Sequence, residues 1–102
     1  ERFLRRVFTP AELIECDGRI TSLAGKFASK EAAAKALGCG IGRVSWQEIE
    51  ILSDDQGKPE LLLHGAALKI SRTNGWSAWS LSISHTAELA VASVTAMLEI
   101  PK

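Results

Sequence analysis

Cysteine is scarce in this sequence. Cys16 and Cys39 are its only two, too few and too unpatterned for a disulfide framework. No CxxC pair and no cysteine–histidine cluster marks a zinc site. A reducing, cytoplasmic setting is the matching expectation. Net charge is missing too: Lys+Arg and Asp+Glu both number 12, so the formal charge is zero. That balance supplies no long-range steering toward nucleic acid or a membrane surface, and neither is an expected partner. No apolar run approaches a membrane span, and no stretch reads as a signal peptide. Repeats and low-complexity tracts are absent as well. At 102 residues, the chain supports a single domain, residues 1–102, large enough to bury a modest core.

What is present reads as alternating helices and hairpins. Residues 1–7 form a partly basic lead-in carrying Arg2, Arg5 and Arg6. Thr9-Pro10-Ala11-Glu12 is a capping box with proline at the first helical position, so a short helix is expected from Pro10 to about Cys16. Asp17-Gly18 breaks it. The strongest element is a helix over residues 20–37, rich in alanine and lysine and stopped by Gly38. Gly38, Gly40 and Gly42 then make a loop. Ser45 to Glu48 could be a second capping box, but residues 49–52 read as a strand. Asp54-Asp55-Gln56-Gly57 signals a turn, and residues 60–63 return as its partner, with Pro59 at the edge. A helix over 65–73, closed by Asn74-Gly75, precedes a strand over 79–84. A turn over 85–88 leads to a last strand over 89–98, buried for part of its length. Trp46, Trp76 and Trp79 are most simply core or interface residues. The order predicts an α+β fold: antiparallel strands with a long central helix.

One residue of that helix sits oddly. At about 100° per residue, Ile20, Leu23, Ala24, Phe27 and Ala34 form one stripe, and Glu31 falls in its middle. A carboxylate facing a core needs a cation, a proton or a gap in the packing. Lys26, Lys30 and Lys35 flank it on the wheel. A half-buried carboxylate bordered by ammonium groups suits magnesium and a polyphosphate. The plainer alternative makes Glu31 and Lys35 an i,i+4 pair on a solvated edge. A second polar cluster, Ser82 to Thr86, ends a strand in hydroxyls and an imidazole, fit for phosphate or a base edge, or simply a polar turn. Gly57-Lys58-Pro59 by itself reads as a turn.

In combination these signals resemble a known family. FASKEAAAKALGCG, residues 27–40, closely resembles the FAxKEAxxKALGTG signature of bacterial holo-acyl-carrier-protein synthases, which are 4′-phosphopantetheinyl transferases. RVFTPAEL upstream, and WQEIEIL, DDQGKPELLLHG and LSISHT downstream, are similar to that family in the same order. The resemblance implies a magnesium-dependent, cytoplasmic, typically trimeric enzyme with active sites between subunits. It would move 4′-phosphopantetheine from coenzyme A to a serine of apo-acyl carrier protein, releasing 3′,5′-adenosine bisphosphate. It implies that Glu31 is a magnesium ligand and that Glu31 and Lys35 are catalytic. Lys26, Lys30 and Lys35 would meet the coenzyme A phosphates. Gly57, Lys58 and Pro59 would lie beside the adenine nucleotide, and Ser84, His85 and Thr86 beside the adenosine and its 3′-phosphate. Arg2, Arg5 and Arg6 would face the acidic carrier protein.

The family pattern has a first strand reading roughly GIGIDLVEI, whose aspartate is the second protein ligand of magnesium. This chain starts at Glu1, after that point, and is expected to lack the strand. Cys39 stands where threonine is common. The rival expectation is a non-catalytic carrier-binding or assembly module that keeps the fold. A soluble α+β domain of unrelated function is the third.

Overall fold

The computed structural model describes residues 2–99. Glu1, the first residue of the expected lead-in, lies outside them. The lead-in is a helix, α1 (Arg2–Val7). It passes through buried Phe8 into α2 (Pro10–Cys16). The expected capping box is formed: Thr9 Oγ1 accepts from Glu12 N at 3.1 Å, and Thr9 N donates to Glu12 Oε1 at 2.9 Å. The long helix α3 (Ile20–Leu37) has the expected bounds and ends at Gly38 in the left-handed conformation. Ser45 and Glu48 do form a capping box, around a single 3-10 turn (Trp46–Glu48). The strand β1 (Ile49–Ser53) follows directly.

Two hairpins and a fourth helix complete the fold. β1 pairs antiparallel with β2 (Pro59–Leu63), placing Ile49 opposite Leu63 and Ile51 opposite Leu61. The helix α4 (Gly65–Thr73) leads to β3 (Trp76–His85), which pairs with β4 (Ala90–Leu98). β3 starts earlier than the alternation suggested, because Asn74-Gly75 turns straight into it and a bulge at Ser77 blurs its period. The indole of Trp79 donates to Leu61 O at 2.9 Å and ties the second hairpin to the first. Ala33, Ala34 and Leu37 of α3 pack with Val44, Ile49, Ile51, Leu61, Leu63, Ala67 and Leu81 in one core. Burying a side chain such as Ile49 or Ile51 contributes roughly 1.5–3 kcal/mol over leaving it exposed. The mixed helices and antiparallel strands match the expected α+β class.

The core-facing side of α3 is not the expected stripe. Its buried residues are Gly25, Lys26, Ser29, Lys30, Ala33, Ala34 and Leu37. Ile20 is 80% exposed, and Leu23 and Phe27 are only partly buried. The physical reason is steric. Small residues let α3 approach the strands: a Cβ on Gly25 would sit 3.1 Å from Ile83 Cγ2. The larger apolar residues belong to another side. With Phe3, Leu4 and Phe8, they line a surface groove of about 530 Å³.

Candidate functional site

The second departure concerns the lysines. Lys30 is fully buried, and its ammonium donates to Glu12 Oε1 at 2.8 Å, Trp46 O at 3.0 Å and Ile49 O at 2.6 Å. Burial pushes its pKa below the usual lysine range, and the Glu12 contact recovers only part of that. Lys26 is 5% exposed, pairs with Glu15, and donates to Ile51 O at 2.6 Å. These two ammonium groups therefore do not border Glu31, as the wheel suggested. Lys30 has no proton left for a phosphate. The ammonium expected to meet coenzyme A faces Glu12 and two backbone carbonyls in this geometry. The helix wheel went wrong because the partners come from α2 and β1, distant in sequence.

Glu31 is half-buried and has no hydrogen-bond or ion-pair partner among the described residues. Lys35 is exposed, one turn further along. The described residues contain no cluster of three or more metal-ligating acids, histidines or cysteines. At this place on α3 a metal would meet the single carboxylate of Glu31. That donor set fits magnesium, which commonly takes one or two carboxylates and fills its shell with water and substrate phosphate oxygens.

A separate cleft of about 330 Å³ opens between α2, the first half of α3, the end of β1 and the end of β3. Lys26, Gly57, Pro59 and His85, four of the expected site residues, line it together. His85 reaches it from the end of β3, where Ile83 and His85 share a face of the strand. Gly57 and Pro59 arrive on the β1–β2 turn, which Asp54 closes by accepting from Gln56 N and Lys58 N, each at 2.9 Å. Ser84 does not reach the cleft, since strand alternation turns it to the outer face. Lys58 lines a smaller depression of about 190 Å³ beside Trp79. Thr86 closes the β3–β4 turn, its hydroxyl accepting from Glu88 N at 3.2 Å and Leu89 N at 3.1 Å.

Among the cleft residues the sequence did not point to are Arg19, Ser22 and Glu15. Arg19 donates to Glu15 O at 2.9 Å and lines the cleft with Ser22. Glu15 also lines it. Burial raises the Glu15 carboxyl, but hydrogen bonds from Lys26 and Ser53 outweigh that and hold it below the usual carboxylate range. Arg19 just before a helix carries no local signal of its role. The cleft collects Arg19, Lys26 and His85 around small groups, a setting for an anionic ligand. Glu31 and Lys35 do not line it. Glu31 lies about 140° around the α3 axis from Lys26.

Comparison with known proteins agrees with this architecture. Residues 1–93 match the family model described as ACPS, 4′-phosphopantetheinyl transferase superfamily. The holo-[acyl-carrier-protein] synthase of Herpetosiphon aurantiacus is 49% identical over 104 residues, covering 95% of this chain and 82% of that protein. The crystal structure of the Neisseria meningitidis holo-[acyl-carrier-protein] synthase superposes with a TM-score of 0.84 at 42% identity, over 95% of this chain and 81% of that one. The Helicobacter pylori enzyme, solved in complex with coenzyme A, gives 0.83 at 35% identity, over 94% and 82%.

Proposed function

The chain belongs to the 4′-phosphopantetheinyl transferase superfamily, and from that premise we propose that it is a holo-acyl-carrier-protein synthase. It moves 4′-phosphopantetheine from coenzyme A to a serine of apo-acyl carrier protein. The observation that carries this reading is the cleft joining Lys26, Gly57, Pro59 and His85, in a chain nearly half identical to such a synthase along almost its whole length. Residues 1–102 act as one transferase domain in the cytoplasm. No helix among the described residues is long and apolar enough to cross a membrane.

The roles follow from chemistry. The adenosine end of coenzyme A sits in the cleft, where Lys26 and Arg19 supply positive charge and the His85 ring offers a hydrogen bond. Glu31 would hold magnesium, which would supply neutralisation of the pyrophosphate charge. The Lys35 ammonium stabilises charge building on the phosphates, the main contribution in transfers of this type. The carrier serine oxygen attacks the phosphorus bonded to the pantetheine oxygen. The bond from that phosphorus to the bridging oxygen breaks, and 3′,5′-adenosine bisphosphate leaves. The serine proton is lost to Glu31 or to water.

The cleft and the Glu31–Lys35 side of α3 point in different directions within one chain. A second copy that brings its cleft to this side would complete the site, in keeping with a homotrimer. The carrier docks on α1, whose Arg2, Arg5 and Arg6 are all exposed beside the apolar groove. Incubation with apo-carrier protein, coenzyme A and magnesium tests the reading by mass spectrometry. A carrier heavier by one phosphopantetheine is expected. A carrier that binds but stays unmodified would favour the docking-module alternative and overturn the transferase.

A further inference from the structure

Lys30, which the transfer chemistry does not use, belongs with Lys26 to a structural device. β1 pairs with β2 on one edge. On its other edge, side chains take the place of a neighbouring strand. Ile49 O accepts from Lys30 at 2.6 Å and Ile51 N donates to Glu12 Oε2 at 2.8 Å. Ile51 O accepts from Lys26 at 2.6 Å and Ser53 N donates to Glu15 Oε1 at 2.8 Å. Alternate residues of one strand edge offer their polar groups this way, so residues 49, 51 and 53 are the ones that need partners. Glu12 and Glu15 are three apart on α2, and Lys26 and Lys30 four apart on α3, so each pair shares a helix face. The result is two parallel ion-pair rungs, Glu12–Lys30 and Glu15–Lys26, joining α2, α3 and β1.

We propose that Lys30 is a positioning residue, acting through α3 on the metal-binding carboxylate. This rests on the proposed function. Adjacent helical residues diverge by about 100°. Tying Lys30 inward through Glu12, Trp46 O and Ile49 O therefore turns Glu31 outward and fixes its direction. Gly25 against Ile83 pins the same helix half a dozen residues earlier and limits any rotation. Lys30 itself touches no ligand.

The test is the neutral double variant Lys30→Met with Glu12→Gln, which removes both charges together and leaves no lone buried ion. Manganese(II) serves as a spin probe, titrated in the presence of coenzyme A. Binding weaker by about tenfold is expected, the low end of what supporting partners of metal ligands contribute. The coenzyme A KM should stay within about twofold, because no phosphate contact is lost. A tenfold higher KM with unchanged manganese affinity would make Lys30 a phosphate ligand and overturn the proposal. Unchanged values for both would make the rung packing alone, which overturns it equally. If the double variant does not fold, Glu12→Asp gives the same comparison, since it keeps both charges and lengthens the rung while leaving Lys30 in place. Failure of the parent chain to modify a carrier would instead count against the proposed function, independently of these ratios.

Discussion

The two sides of α3 invert the usual rule of burial. The inner side carries Gly25, Lys26, Ser29, Lys30 and Ala33, and it is buried. The outer side carries Ile20, Leu23, Phe27, Glu31 and Lys35, and it is exposed or only partly covered. Polarity did not decide which side went in. Partners did. Every buried ammonium finds carboxylate and carbonyl oxygens on α2 and β1, and no buried side-chain polar atom lacks a hydrogen bond among the described residues. The outer side has apolar groups without full cover and charges without partners. Residues kept in that state are the ones available to another molecule. The inner ion pairs thus hold α3 against α2 and β1, and the outer carboxylate and lysine are left available to another molecule.

Substitutions on the two sides should therefore fail differently. The largest stability loss is expected from Lys30→Met, which strands Glu12 as a buried unpaired charge and costs about 3–5 kcal/mol. A thermal melt within a degree or two of the parent would show that the inner side is not what holds α3. On the outer side, Glu31→Gln should lower metal-dependent transfer by about 10²–10³-fold, or roughly 2.7–4 kcal/mol of transition-state stabilisation, at unchanged melting temperature. Normal turnover by that variant would remove Glu31 from the site. His85→Ala should raise the coenzyme A KM by about tenfold with a smaller loss of kcat, the pattern of a lost binding contact. An unchanged KM would take the cleft away from the adenosine end.

A smaller effect comes from pH. Glu15 and Glu50 both have carboxyls below the usual range, burial opposing and hydrogen bonds prevailing. A carboxyl lowered on folding stabilises the protein above its unfolded pKa and loses that contribution as pH falls through the folded one. Melting temperature should fall as pH drops below the ordinary carboxylate range, and Glu15→Gln should blunt the fall. A flat profile in the parent would mean that the Glu15–Lys26 rung contributes nothing.

The same contrast explains what the sequence made legible. Local signals worked: the Thr9–Glu12 box, the left-handed stop at Gly38 and the helix over Gly65–Thr73 depend on neighbours within a turn. The helix at Arg2–Val7 was missed because it is short, and its three arginines show no apolar period. The phase of α3 was missed for a different reason. The wheel ranks side chains by hydrophobicity, but Lys26 and Lys30 are buried by groups up to 25 residues away along the chain. The site divided along the same line. Gly57, Pro59 and His85 meet Lys26 because two turns converge there. Ser84, one residue from His85, points elsewhere by strand alternation, and Lys58 is turned away within the β1–β2 turn that Asp54 closes.

Amine acetylation of the native chain, read lysine by lysine by mass spectrometry, tests the division of α3 most directly. Lys35 should react readily and become shielded when coenzyme A and magnesium are added, while Lys30 stays unmodified in both conditions. Labelling of Lys30 at a rate comparable to Lys35, and its suppression by coenzyme A, would contradict the account.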